Sequence, residues 1–500
     1  MAIAMSIMVF GYDSSFIGNL LAVDSFKRDF GLDGVSTKEK NDTTSNLISV
    51  YSAGAFWGSV FMLFPLDYLG RKSSLAGSNA LFVLGAILST AANGNLGMMY
   101  AGRVICGFGI GGAVSVAPTY ISELSPPAIR GRMTGLFESF YQVGSLVGFW
   151  INFGIDQTID TKKSIAWQIP MAVQLIPPGI VLLAIPWLRE SPTWLLKKDR
   201  DEEALKVYSY IRNLPESHPY LHEDIAFVKA QIELERAITT DNSRRASFIE
   251  YLRCVCKESV QKGVRNRFLL VIMITMWQPW CGAVAVNYYS PTIFRSIGLY
   301  NTTLWTGIYG VIKAGASIIY FTVFIDRFGR KWPWIVSCVG CSVCMYYLAG
   351  YVSLAYPVQG VPETASEVAA GKGATAAILL FGFMWSFGAN GLPLVIASEI
   401  FPPSLRSVAG PFASLNVWLW SFVTTKTLPY MYTSMGYGIY VFFGCVLICA
   451  AIYAFFYIHE TKGLRIDQMD ELFGGVGGQK IDYEKEVTEV EHKENVHTMK

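Results

Sequence analysis

A chain of 500 residues that is 52% apolar and only 16% charged, with a mean hydropathy of +0.36, is not an ordinary soluble globule, whose charged fraction is about 25%. Its net charge of +2 carries no nucleic-acid footprint, and its nine cysteines give no disulfide framework. Seven of them (Cys106, Cys281, Cys338, Cys341, Cys344, Cys445 and Cys449) lie inside apolar runs, and Cys254 and Cys256 lie in a charged loop.

In chain order, apolar sequence begins at Met1. No basic region or small-residue cleavage site precedes Phe10-Gly11-Tyr12-Asp13, so the segment reads as a spanning helix and not as a signal peptide. A span needs about 20 mostly apolar residues. Twelve segments qualify: 1–22, 46–66, 73–93, 98–119, 132–152, 167–187, 267–290, 305–325, 332–354, 375–396, 408–428 and 435–457. Hydrocarbon cannot satisfy backbone groups, so these must be helices. The fold expected is an all-α membrane protein with two six-helix bundles, 1–187 and 267–457. A cytoplasmic helical linker, 188–266, joins them, and a charged tail, 458–500, follows.

Lys and Arg concentrate at 66–73, 120–132, 188–266, 325–332 and 399–407, all on one side of a twelve-span chain. That side is expected to be cytoplasmic, with both termini. The opposite side holds Asn41-Asp42-Thr43 and Asn301-Thr302-Thr303, which match the N-glycosylation pattern. Cys338, Cys341 and Cys344 have ligand-like spacing, but three thiolates in hydrocarbon would be costly. They read as small packing residues, and no metal or cofactor is expected.

The strongest signal is an internal duplication. Asp67-Tyr68-Leu69-Gly70-Arg71-Lys72 is matched by Asp326-Arg327-Phe328-Gly329-Arg330-Lys331. Ser122-Glu123-Leu124-Ser125-Pro126-Pro127-Ala128-Ile129-Arg130 is matched by Ser398-Glu399-Ile400-Phe401-Pro402-Pro403-Ser404-Leu405-Arg406. Parallel repeats of six helices are a transporter architecture. The glycines permit tight turns. The paired acids and bases suit a gate that holds the basic face shut in one state, with Glu123 meeting Arg406 and Glu399 meeting Arg130 across the halves.

These motifs, with Gly102-Arg103, Pro118-x-Tyr120-x-Ser122-Glu123, Arg130-Gly131-Arg132, Glu190-Ser191-Pro192, Asn287-Tyr288-Tyr289-Ser290-Pro291 and Glu460-Thr461-Lys462-Gly463, resemble the sugar porter family of the major facilitator superfamily, nearest its fungal quinate permease type. The resemblance runs from Gly11 to about Phe473. It implies a fungal-type plasma membrane location, a midplane binding cavity and uptake of a sugar, polyol or sugar acid by alternating access. It also implies gating roles for Asp67, Arg71, Glu123, Arg130, Glu190, Asp326, Arg330, Glu399, Arg406 and Glu460.

Asp13 and Arg103 fall at matched depth, on the order of 10–14 Å below the surface opposite the basic side. An ionised side chain at the membrane centre costs about 2.5–3.5 kcal/mol, so the two are expected to pair. By resemblance Asp13 takes the coupling proton and Arg103 tunes it; the other reading is a fixed structural ion pair. For the solute the resemblance points to Glu138 and Gln142, four apart on one helix face, and to Gln278, Asn390, Asn416 and Trp418. Glu138 stands where sugar porters usually carry Gln. Pro279 and Val284 replace family readers of sugar hydroxyls, which weakens an ordinary hexose as substrate, and Leu394 replaces a family Trp. Lys313 either snorkels to the surface or faces the cavity; if it faces inward, quinate or a sugar acid gains. The chain is expected to work as a monomer in the lipid bilayer, with a small-molecule substrate and a proton as partners and no nucleic acid. A facilitator, or a nutrient sensor with this fold, is the alternative. No enzyme is expected.

Overall fold

A computed structural model describes residues 2–62, 65–126, 130–239, 262–299, 301–354, 365–401, 405–461 and 473. All regular structure among them is helical. The first half comprises α1 (Ala2–Leu20), α2 (Thr37–Met62), α3 (Arg71–Thr90), α4 (Leu96–Leu124), α5 (Arg130–Thr158) and α6 (Ile165–Val173, continued by Ile176–Ala184). The second comprises α7 (Lys262–Trp280, then Ala283–Ser296), α8 (Thr302–Ile319 and a π segment, Tyr320–Phe324), α9 (Lys331–Leu354), α10 (Ala365–Met384, a π segment Trp385–Ala389, then Leu392–Ile400), α11 (Arg406–Met435) and α12 (Gly438–Tyr457). This is the twelve-helix, two-bundle fold.

Nine of these helices are long and apolar enough to cross a membrane by composition alone, among the described residues. α1, α5 and α11 are not among the nine, although they run 19, 29 and 30 residues. They carry Asp13, then Glu138 and Gln142, then Asn416 and Lys426. Their apolarity is lowered by polar groups they turn inward, since Asp13, Glu138, Gln142 and Asn416 are all buried.

Small residues let helix backbones approach closely, as membrane bundles require. A Cβ on Gly58 of α2 would come 2.8 Å from the carbonyl carbon of Phe108 in α4. The halves meet along α2·α11 and α5·α8. Ser59 and Ser414 hydroxyls lie 3.2 Å apart near the basic face. Toward the opposite face, Asn41 donates to Thr433 (3.1 Å), Tyr430 donates to Asp42 and Lys426 donates to Asn46. Asn41, the first glycosylation-pattern residue, thus sits within α2 with its amide spent on α11. Asn301 caps α8 through Leu304 N.

Near that same face α1 lies on the second segment of α7. A Cβ on Gly18 would come 2.8 Å from the carbonyl carbon of Tyr288. Backbone cannot yield as a side-chain tip can, so Gly18→Val is expected to prevent α1 and α7 from closing there. Solute uptake should fall at least tenfold with normal surface expression, and labelling of a cysteine placed near Asp13 should become faster. Unchanged uptake would remove this contact from the cycle.

Several helices outrun their expected ends. α2 starts at Thr37, not 46; α7 continues through Ser296, past 290; α10 starts at Ala365, not 375. The apolar criterion measures hydrocarbon depth, whereas hydrogen bonding carries these helices into the polar headgroup region. On the basic face, Pro192–Lys197, Asp201–Arg212 and Pro219–Thr239 form a small bundle. Its core comprises Trp194, Leu195, Ala204, Val207, Tyr208, Leu221 and Ile232. Cys254, Cys256, Lys462, Gly463 and the tail from 474 lie outside the described residues.

Candidate functional site

Three polar groups of residues stand out against the apolar bundle. The first is the pair Asp13–Arg103, between α1 and α4. Both side chains are essentially unexposed, at 0% and 1%. Arg103 Nη1 and Nη2 donate to the two carboxylate oxygens of Asp13, the second bond at 3.1 Å. Arg103 Nε reaches the carbonyl of Leu47 at 3.3 Å, and its guanidinium lies 4.5 Å over the Tyr51 ring. Two charges that would each be costly alone in hydrocarbon therefore neutralise one another.

The second group lies between the halves and joins α5, α7, α8 and α10. The π segment of α10 places Asn390 so that its Nδ2 donates to Glu138 Oε1 of α5, while Trp385 Nε1 donates to Asn390 Oδ1 at 3.0 Å. Gln142 Nε2 donates to the same Glu138 oxygen at 2.8 Å. Gln278 Nε2 donates to the Asn390 carbonyl. Such π segments recur at functional sites because they free backbone groups. The position of Gly391 leaves no space for a side chain: a Cβ there would come 3.1 Å from Glu138 Cγ.

Lys313 faces inward and is 1% exposed. Its Nζ donates to Asn287 Oδ1 at 2.9 Å and lies 5.8 and 5.9 Å from the Tyr141 and Tyr309 rings. Its direct partner is thus a carboxamide, while Glu138 lies within electrostatic reach. Asn287 can receive it because α7 is broken at Gly282, whose φ is +88°, and kinked again at Tyr289. Trp418 of α11 crosses to the first half and packs on Phe10 and Tyr51, with ring centroids 4.8 and 6.2 Å away. Asn416 does not join the group: its Nδ2 turns back to the Phe412 carbonyl of its own helix at 2.9 Å. Two positions on one helix lie 200° apart, so Asn416 and Trp418 cannot share a face. Gln142 Oε1, Gln278 Oε1 and Trp418 Nε1 are buried without a hydrogen-bond partner among the described residues.

The third group is a matched pair of charge networks on the basic face. In the first half Arg71 grips Glu123 through Nε and Nη2 at 2.9 and 2.8 Å, and its Nη1 donates to Asp67 at 3.1 Å. Glu190 accepts from the backbone amides of Arg71 (2.9 Å) and Lys72 (3.1 Å), the first turn of α3. In the second half Arg330 grips Glu399 at 3.1 and 2.6 Å, and Glu460 accepts from the amides of Arg330 and Lys331 at 2.9 and 3.2 Å. A carboxylate at a helix N-terminus answers both its orphan N–H groups and its dipole. Ser191 donates to Glu123, and Thr461 donates to Glu399 at 2.6 Å. Glu190-Ser191 and Glu460-Thr461 are therefore a third duplicated motif.

The partners expected across the halves, Arg406 for Glu123 and Arg130 for Glu399, have side chains that lie outside the described residues. Among the described residues each carboxylate meets the Arg and a hydroxyl of its own half, with bidentate geometry. The side chains of Arg130, Asp326 and Arg406 lie outside the described residues.

The sequence matches the family described as "Sugar (and other) transporter" over residues 1–473. Among similar proteins, "Probable quinate permease" of Aspergillus niger is 39% identical over 473 residues, covering 93% of this chain and 85% of its own length. "Quinate permease" of Neurospora africana is 40% identical over 480 residues, covering 93% and 86%. Among solved structures, the major facilitator superfamily proton:xylose symporter XylE bound to 6-bromo-6-deoxy-D-glucose shares the fold with a TM-score of 0.77 at 21% identity, covering 94% of this chain and 98% of that one. An inward open conformation of the xylose transporter XylE from E. coli aligns with a TM-score of 0.72, also at 21% identity, covering 94% and 98%.

Proposed function

The chain belongs to the sugar transporter family of the major facilitator superfamily, and from that premise we propose that it takes up a small polyhydroxylated acid of the quinate kind together with a proton. It works by alternating access, as a monomer in the plasma membrane, with the basic face and both termini cytoplasmic. The six-helix units 1–187 and 267–457 rock about α2·α11 and α5·α8, with 188–266 as the linker. Asp13 carries the proton and Arg103 tunes it. Glu138, Gln142, Gln278, Asn390 and Trp418 meet the solute hydroxyls, and Lys313 meets its carboxylate.

The observation that carries this reading is the inward ammonium of Lys313, together with buried polar atoms of Gln142, Gln278 and Trp418 that have no hydrogen-bond partner among the described residues. A polyol needs directed hydrogen bonds, because each hydroxyl left unpaired costs about 1–3 kcal/mol. A buried cation held by one carboxamide and two rings attracts an anionic solute, which a neutral sugar cannot replace.

Uptake of labelled quinate, galacturonate, glucose, galactose and xylose in a transporter-null host tests it. The acids are expected to enter and the neutral sugars to be poor. In Lys313→Met, half-saturation for the acid should rise roughly 10- to 100-fold, the equivalent of a lost charged hydrogen bond. Efficient glucose uptake that is indifferent to Lys313→Met would refute the acid reading.

A further inference from the structure

Carboxylates in the three groups differ in how their oxygens are bonded. Asp67, which accepts at Oδ1 alone, is half exposed to solvent, whereas Asp13, Glu123, Glu190, Glu399 and Glu460 each accept hydrogen bonds at both oxygens. Glu138 does not. Both of its donors, Gln142 Nε2 and Asn390 Nδ2, converge on Oε1, and Oε2 accepts from none of the described residues. Both donors are neutral amides, and the side chain is 7% exposed. An ionised carboxylate spreads its charge over two oxygens and calls for donors at each. A carboxylic acid has one carbonyl oxygen that accepts twice and one hydroxyl that donates. A carboxylic acid fits the one-sided pattern at Glu138.

The titratable and charged groups around it are few. Lys313 faces it from α8, and Tyr141 lies on its own helix. α10 and α7 contribute the neutral Asn390 and Gln278. Asp13 and Arg103 are closed on each other. The charge state of Glu138 is therefore set chiefly against Lys313.

We infer that Glu138 is a second proton carrier, distinct from Asp13, and that it takes up its proton as the halves close and Asn390 bonds to it. While the halves stand apart, ionised Glu138 is the counter-ion of Lys313. When a solute carboxylate takes that place, Glu138 must bind a proton from the same side, or two anions would share one cation in a low-dielectric site. The neutral acid then bonds to Asn390 as the halves close, and Oε2–H is left to donate to a solute hydroxyl. On release both leave together. With Asp13, each monoanion brings two protons and one net positive charge. This rests on the transporter reading above, and the test separates the two.

Purified protein in liposomes, with no pH gradient and an inside-negative potassium diffusion potential of about −100 mV, should accumulate labelled quinate about 50-fold, the equilibrium for one net charge. Glu138→Gln, assayed at quinate concentrations raised to saturate the uptake it retains, should show no accumulation driven by potential alone. Wild-type transport insensitive to potential, or Glu138→Gln with unchanged charge movement, overturns the proposal. If quinate is not a substrate, the acid reading fails but this one does not: a neutral sugar should then move two charges in wild type and one in Glu138→Gln. A third readout needs no solute. At neutral pH the infrared spectrum should contain a protonated-carboxyl band that survives in Asp13→Asn and vanishes in Glu138→Gln at closed-state-trapping Cys crosslinks between α1 and α7. A trapped protein lacking that band overturns the proposal, and a band lost equally in Asp13→Asn assigns the proton to Asp13 instead.

Discussion

Asp13→Asn is expected to reduce solute accumulation from many-fold to a ratio near one, while exchange of labelled for unlabelled solute continues. The side chain keeps its size and one acceptor for Arg103, so insertion and packing should survive. What it loses is the site at which a proton can bind. While Asp13 is ionised, its attraction to Arg103 holds α1 to α4; a proton on the carboxyl removes that attraction and frees the guanidinium, which still has the Leu47 carbonyl and the Tyr51 ring. Those alternative contacts lower the cost of parting the pair, since leaving a buried charge wholly unpaired costs about 3–5 kcal/mol. The same contacts also favour the facilitator reading, in which Arg103 is locked and the pair never parts. The two readings differ in the medium: a symporter alkalinises it as solute enters. No alkalinisation by the wild-type protein, or undiminished accumulation in Asp13→Asn, would leave the fixed pair standing.

The Asp13–Arg103 approach is legible from depth alone, because both residues can be counted down from the ends of apolar runs and neither is tolerable unpaired. The charge networks are legible as far as the duplication shows them. Their wiring is not: Glu190 and Glu460 lie 119 and 130 residues from the amides they cap, and nothing local specifies that pairing. Nor does anything local announce that Ser191 and Thr461, 68 and 62 residues away, donate to Glu123 and Glu399. In the central group, Glu138 and Gln142 share a face by simple helical spacing, but Asn287 and Asn390 reach it through the break at Gly282 and the π segment of α10. Regular periodicity cannot anticipate an irregular turn, so Asn287, Trp385 and Tyr141 go unnoticed as partners of Lys313 and Asn390. Helix ends fail for a related reason, since hydropathy marks where lipid stops and not where the helix does.

Arg330→Glu is expected to abolish uptake, by roughly 100-fold or more, while the protein still reaches the membrane. The substitution removes the cation that, with the Thr461 hydroxyl, satisfies Glu399, and sets a third carboxylate beside Glu399 and Glu460. Losing one partner of a buried ion pair costs about 3–5 kcal/mol, and with the Glu399 side chain 27% exposed the lower end applies, a shift of about two orders of magnitude in any equilibrium that requires the network. The network ties the first turn of α9 to the end of α10 and to the segment after α12, so its loss frees that end of the second half from a fixed geometry. Folding is protected because most of the bundle is held by apolar packing at a distance from this face. The reversed pair Arg330→Glu with Glu399→Arg should recover part of the uptake, since the two charges again meet, though without the original fork geometry. Arg71→Glu, at the matching position of the first half, should give the same defect, with Glu123→Arg as its partial rescue. Cysteine accessibility from each side of the membrane reads the consequence directly: each single reversal should shift labelling toward one face, and each swap should shift it back. Normal turnover in both Arg330→Glu and Arg71→Glu would reduce the two networks to static fasteners, and the gate would then have to be sought elsewhere between the halves.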